Sequence, residues 1–127
     1  LPRLDAYLNE NCDLIVIQPG DNIKSEYNSQ ADYEALFQYC SEKVPNAKIV
    51  TVGNFWRVVQ AEIGKNAACV NKGLSLVDLT DIRDDPKYQC GMGTLVYGED
   101  GNTHSVTGTA VAIHPGNYGM DKIGKTR

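Results

Sequence analysis

The sequence predicts an α/β domain built on a parallel sheet. Two short runs rich in β-branched residues, at positions 14–18 and 48–52, have the length and composition of buried strands. A segment whose apolar residues have helical spacing follows each of these runs. Because strands that alternate with helices at this spacing connect as βαβ units, we expect the strands to run parallel.

The first 44 residues carry the opening elements of this pattern. Leu1, Leu4 and Leu8 are spaced as on one face of a short helix. The strand at 14–18 follows and is expected to be buried on both faces. The next helix is predicted to begin at a cap of Ser29 or Asp32 and to run through residue 43. Its apolar face consists of Tyr33, Leu36, Phe37, Cys40 and Val44.

The second strand and its helix repeat this arrangement. The strand at 48–52 is followed by an exit loop at 53–56. A helix is predicted from about residue 57 to Gly73, because glycine is the residue most common just after a helix. We expect its inward residues to be Val58, Val59, Ile63 and Val70. A third strand is predicted at 74–79.

The region from residue 80 to 110 departs from the alternation. Asp81, Asp84 and Asp85 indicate an acidic, solvated loop, and their spacing does not match a calcium loop. Two strand-like runs, 94–97 and 103–107, flank a turn that contains Asp-Gly, which predicts a small antiparallel hairpin. His104 lies on this hairpin and is expected to face solvent.

Composition and charge exclude several classes of protein. Hydrophobic residues make up 42% of the chain and charged residues 22%, which suits a packed globular domain. The net charge of −4 argues against nucleic acid and anionic membrane surfaces as partners. No apolar run reaches a membrane-spanning length, and no motif indicates a cofactor.

The cysteines do not have the spacing of a metal site. Cys12, Cys40, Cys69 and Cys90 include no Cys-x-x-Cys pair, so no zinc site is predicted. Cys40 and Cys69 fit small buried hydrophobic positions, whereas Cys90 lies in a loop. The even number permits disulfides without requiring them.

Two polar residues stand where chemistry is possible. Asn22 follows the first strand, and ligands of open α/β sheets bind outside the carboxyl ends of strands. His114 follows a short apolar run, typical of the end of a strand, and histidine exchanges protons near neutral pH. Each has an ordinary alternative: an asparagine that caps its own loop, and a histidine in a surface turn.

Taken together, Gly20-Asp21-Asn22 and His114-Pro115 followed by Gly119-Met120 resemble two elements of the SGNH (GDSL-type) hydrolases. The resemblance implies a flavodoxin-like three-layer sandwich, here incomplete, and an esterase or acyl hydrolase acting on a small-molecule or carbohydrate ester. It implies that His114 is the general base and Asn22 an oxyanion-hole donor. Gly20 and Trp56 would line the substrate rim, although Trp56 could equally pack against the following helix.

The sequence departs from this family in two respects. It contains no Gly-Asp-Ser element, so we expect residues 1–127 to be the C-terminal part of one such domain and the nucleophilic serine to lie outside them. Val111 stands three positions before His114, where the family usually has the aspartate of its triad.

These departures leave an alternative function and raise one structural expectation. Both departures favour the alternative of a non-catalytic carbohydrate- or peptide-binding module of the same fold. If earlier strands are missing, the edge of the strand at 14–18 is expected to pair with another chain or a missing segment. The resemblance favours a secreted or periplasmic location, since many such esterases are exported.

Overall fold

The computed structural model describes residues 4–24, 26–97 and 100–125. The chain forms two compact units, Leu1–Asp78 and Leu79–Arg127, which are described separately below.

The first unit contains a parallel sheet, as predicted. Its strands are β1 (Leu14–Ile17), β2 (Lys48–Val52) and β3 (Ser75–Val77), in the order β1-β2-β3. Both pairs are parallel, and β2 lies in the centre. The carboxyl ends of the three strands therefore lie at one edge of the sheet, where the loops that follow β1 and β2 begin.

Two helices cover one face of this sheet. They are α1 (Gln30–Lys43) and α2 (Val59–Lys72), and both begin and end close to the predicted positions. The core between helices and sheet is formed by Ile17, Tyr33, Phe37, Cys40, Ile49, Ala68 and Cys69. The predicted apolar face of α1 is thus confirmed.

The prediction that the first strand is buried on both faces is wrong. Ile17 is buried, and Ile15 packs against the same core, but Leu14 is 54% and Val16 58% exposed. Side chains alternate between the faces of a strand, and α1 and α2 both lie on the face of Ile15 and Ile17. Leu14 and Val16 consequently point away from these helices.

The inward face predicted for α2 is also largely wrong. Val58 is buried, but Val59, Ile63 and Val70 are 47%, 52% and 80% exposed. The buried residues of the helix are instead Ala61, Gly64, Lys65, Ala68 and Cys69.

Close packing against α1 explains this choice of face. A Cβ atom on Gly64 would lie 2.7 Å from the backbone nitrogen of Gln30 and 3.0 Å from that of Ser29. Only a face of small residues allows so close an approach, and it leaves the larger valines and Ile63 outside.

Residues 4–8 form a turn in which the amides of Tyr7 and Leu8 both donate to the Leu4 carbonyl, at 2.9 and 3.0 Å. The start of the helix predicted there, including Leu1, lies outside the described residues.

The second unit consists of short elements. In chain order these are α3 (Thr80–Arg83), a 3-10 helix (Pro86–Tyr88), β4 (Leu95–Tyr97), β5 (Thr103–Ser105), α4 (Thr109–Ala112) and α5 (Asn117–Lys125). β4 and β5 pair antiparallel, which confirms the predicted hairpin.

Two predictions for this unit are wrong. Asp81 belongs to α3 rather than to a loop, and the apolar run before His114 forms the helical turn α4 rather than a strand.

α5 packs on the 3-10 helix. The rings of Tyr88 and Tyr118 stack with centroids 5.2 Å apart. Gly119 lies against the Tyr88 carbonyl, and a Cβ atom there would also approach Pro115 to 3.2 Å. α5 begins at Asn117, directly after the His114–Gly116 turn.

All four cysteines are free thiols, with Cys40 and Cys69 buried and Cys12 and Cys90 half-buried. Within the described ranges, no helix has both the length and the apolar composition needed to cross a lipid bilayer.

Candidate functional site

The loop that follows β1 carries Asn22 at the carboxyl edge of the sheet. The Asn22 side chain is exposed. Its neighbour Asp21 accepts a hydrogen bond from the backbone nitrogen of Trp56 at 3.2 Å, which ties this loop to the exit loop of β2. Asn22, predicted as the oxyanion-hole donor, and the predicted rim residues Gly20 and Trp56 therefore lie in two loops that contact each other.

Gly20 is the tightest point of the β1 loop. It is buried, and its φ of +141° is one that residues with a side chain rarely adopt. A Cβ atom would lie 2.6 Å from both Asn54 Oδ1 and Tyr33 Oη. Only glycine lets the backbone rest directly on these two polar atoms.

Tyr33 holds the same loop from α1. Its hydroxyl donates to the Pro19 carbonyl at 2.5 Å. Burial, with smaller contributions from Asp21 and Cys69, raises the pKa of Tyr33 to about 12. The hydroxyl therefore keeps its proton, and with it its ability to donate, throughout the neutral range.

Lys65 on α2 is a buried cation beneath these loops, and no motif in the sequence indicated it. The side chain is 1% exposed. Its ammonium donates to Asn54 Oδ1 at 2.6 Å and to the Val52 carbonyl at 3.0 Å. It also lies 5.2 Å from the centroid of the Tyr33 ring, within the range of a cation–π interaction.

Burial shifts the titration of this lysine. Desolvation lowers the pKa of Lys65 to about 8, and interactions with Asp21, Cys69 and Glu62 oppose that shift only partly. The ammonium form predominates at neutral pH, where it fixes Asn54 with its oxygen toward Lys65. The Asn54 amide nitrogen is buried and has no hydrogen-bond partner in the part of the chain described.

No pattern in the sequence singled out Lys65, because lysines are almost never fully buried. One signal was available: Lys65 lies between Ala61 and Ala68, on the face of small residues.

His114 lies in the second unit, in the turn between α4 and α5. Its backbone is held at both ends: its nitrogen donates to the Val111 carbonyl at 3.0 Å, and its carbonyl accepts from Cys90 at 2.8 Å. The side chain is exposed. Val111 is exposed on α4 and offers no side-chain acceptor for an imidazole.

His104, the second histidine, faces solvent as predicted and pairs at 2.9 Å with Asp100 in the turn of the hairpin. This hydrogen bond is the main reason why the pKa of Asp100 lies below its usual value.

The structure thus brings Gly20, Asn22 and Trp56 together in the first unit, and it places His114 in the second. Joint action of Asn22 and His114 stays a prediction. Among the described residues, no group of His, Cys, Asp and Glu side chains is arranged to hold a metal ion.

Comparison with models of protein families found no match, and comparison with curated proteins found no significant match.

Proposed function

We propose that this chain is part of an SGNH-type serine esterase, acting on a small-molecule or carbohydrate ester. The observation that carries the proposal is the position of Asn22. It is exposed in a loop that leaves the carboxyl end of a parallel strand, next to an aspartate held by the following loop. Ligands of open α/β sheets bind at this edge.

The proposed reaction is acyl transfer through a covalent intermediate. A serine from a segment outside these residues attacks the ester carbonyl, and His114 accepts the hydroxyl proton. The Asn22 amide donates to the oxyanion of the tetrahedral intermediate. The alkoxide then leaves with the proton from His114, and water releases the acid by the same sequence of steps.

The sheet supports the finer fold assignment that we propose with this function. In a flavodoxin-like sheet the strand order is 2-1-3-4-5, so strands 3, 4 and 5 are consecutive neighbours. The order β1-β2-β3 is compatible with these three strands.

Non-catalytic binding is the second candidate, and Val111 favours it. A valine cannot accept a hydrogen bond from the imidazole or fix its tautomer, which is the task of the triad acid. A module of this kind would hold a carbohydrate or peptide at the Asn22 and Trp56 loops without turnover.

Hydrolysis of a short-chain nitrophenyl ester by the full-length protein tests the proposal. His114→Ala is expected to lower kcat by about 10²- to 10⁴-fold, the range for general-base catalysis. Asn22→Ala is expected to lower kcat by about 10²- to 10³-fold with a smaller effect on KM, because the donor acts on the transition state.

Each variant has a matched control. His104→Ala removes the other exposed histidine, and Asn46→Ala removes an exposed asparagine that lies just before β2, at the opposite edge of the sheet. Both controls are expected to keep wild-type turnover. Unchanged hydrolysis in His114→Ala contradicts the esterase mechanism, and binding of an ester without turnover by the wild type supports the binding module.

A further inference from the structure

The loop that carries Asn22 is held by contacts at three consecutive residues, Pro19, Gly20 and Asp21. Tyr33 Oη donates to the Pro19 carbonyl, Gly20 rests on Asn54 Oδ1 and Tyr33 Oη, and Asp21 accepts from Trp56. Two of the groups that hold it, Asn54 and Tyr33, contact the Lys65 ammonium. Lys65 is therefore the common support of the residues beneath this loop.

A charged side chain is a costly choice for a support of this kind. Among the described residues, both hydrogen-bond partners of the ammonium, Asn54 and the Val52 carbonyl, are neutral, and the more distant carboxylates of Asp21 and Glu62 offset its desolvation only partly. A methionine would fill similar space without that cost. What a methionine cannot do is donate to Asn54 and so fix which way its amide faces.

We propose that Lys65 is a positioning residue, whose ammonium orients Asn54 and thereby holds the loop at residues 19–22 in a single conformation. For its catalytic meaning the inference rests on the proposed function, since it makes Lys65 the group that preorganises the oxyanion donor Asn22. Its structural content stands without any enzymatic activity.

The protonation state of Lys65 offers a direct test. The titratable groups that act on its ammonium are Asp21 from the β1 loop, Tyr33 from α1, and Glu62 and Cys69 from α2 itself. Tyr33 keeps its proton to about pH 12, so it does not titrate between pH 6 and 10. Loss of the Lys65 proton weakens the charge-assisted bond to Asn54.

The experiment follows Trp56 by fluorine NMR in the full-length protein labelled with 5-fluorotryptophan. Trp56→Phe identifies the resonance. In the wild type we expect a single step in its shift with an apparent pKa of about 8, as the loop loses its support. Lys65→Met is expected to lack this step.

A second variant separates positioning from a direct effect of charge. Asn54→Ala keeps the titrating ammonium but removes its link to the loop, so the step is expected to vanish there too. Because Asn54→Ala leaves Lys65 in place, the test stands even if Lys65→Met fails to fold. Lys72→Met on the exposed side of α2 and Cys69→Ser, which removes the nearby thiol, are expected to keep the step.

Persistence of the step in Asn54→Ala, or its absence from the wild type, overturns the inference.

Ester hydrolysis then distinguishes the positioning role of Lys65 from the proposed esterase function. If the step behaves as expected but the wild type hydrolyses no ester, the proposed function fails and the positioning role stands. If His114→Ala abolishes turnover while Asn54→Ala retains the step, only the positioning role fails.

Discussion

Lys65 shows how one residue can weaken a fold while ordering a part of it. The ammonium is removed from water, which costs free energy, and this cost is offset in part by the two hydrogen bonds that it donates and by its contact with the Tyr33 ring. Since the pKa falls from 10.5 to about 8, the unfolded chain binds the proton more tightly than the folded one. The charged form is thus a net cost to stability.

The sign of this effect predicts how stability depends on pH. Below pH 8 Lys65 is protonated in both the folded and the unfolded chain, and the free-energy cost of burying its charge is fully present. Between pH 8 and 10.5 Lys65 binds the proton mainly in the unfolded chain, so the free energy of unfolding rises with pH. Relative to Lys65→Met, the wild type is expected to gain about 2–3 kcal/mol over this range. Urea denaturation at pH 7 and at pH 10.5 measures the gain.

The exposed lysine variant Lys72→Met serves as the control and is expected to follow the wild type at both pH values. A difference between wild type and Lys65→Met that does not change with pH would mean that Lys65 titrates normally in the folded state.

At the scale of elements, the contact between α1 and α2 decides which residues form the core. α2 presents small residues to α1, and Gly64 marks the point of closest approach. With this face of α2 turned inward, Lys65 points into the core and reaches Asn54. The position of Lys65 beneath the Asn22 loop therefore follows from the packing of α2 against α1.

Replacement of this glycine tests the packing. Alanine favours a helix over glycine by about 1 kcal/mol, but a Cβ at position 64 would collide with the backbone of Gln30 and Ser29. We expect Gly64→Ala to lower the free energy of unfolding by about 1–3 kcal/mol, the cost of overpacking. Chemical denaturation followed by circular dichroism measures it.

The matched variant is Gly124→Ala on α5, where an added Cβ meets nothing within 4 Å. It is expected to gain about 0.5–1 kcal/mol from propensity alone. A stabilised Gly64→Ala would show that α1 and α2 are not in close contact at this point.

At the scale of the whole molecule, the chain divides into a unit with the parallel sheet and a unit with His114. Within the described residues β1 pairs with β2 alone, so the predicted pairing of its outer edge remains a prediction. Besides Asn22 in the first unit and His114 in the second, the proposed chemistry requires a nucleophilic serine. These 127 residues do not supply one in a Gly-Asp-Ser element.

A fluorophosphonate probe, which reacts with activated serines, tests this requirement. A protein in which the proposed Gly-Asp-Ser segment accompanies these 127 residues is expected to be labelled, and the 127 residues by themselves are not, because an unactivated serine is a weak nucleophile. Gel fluorescence measures labelling, with heat-denatured full-length protein as the control for non-specific reaction. Strong labelling of the 127-residue chain would identify a nucleophile within it.

The amino-acid sequence alone was sufficient to predict the order and type of the main elements. Local signals are strong there: β-branched runs for β1 and β2, apolar spacing for α1, a glycine at the end of α2 and an Asp-Gly turn in the hairpin. It also placed Asn22 at the carboxyl end of β1, since that position depends only on where a strand ends.

Which face of each element is buried depends instead on packing between segments that are far apart in the chain. Periodicity favoured Val59, Ile63 and Val70, but close approach to α1 required the face of Gly64 instead. The burial of Lys65 follows from that choice and from acceptors supplied by Asn54 and Val52 on another element. Contacts between distant segments determine both features, and a pattern along one segment carries no information about its partner.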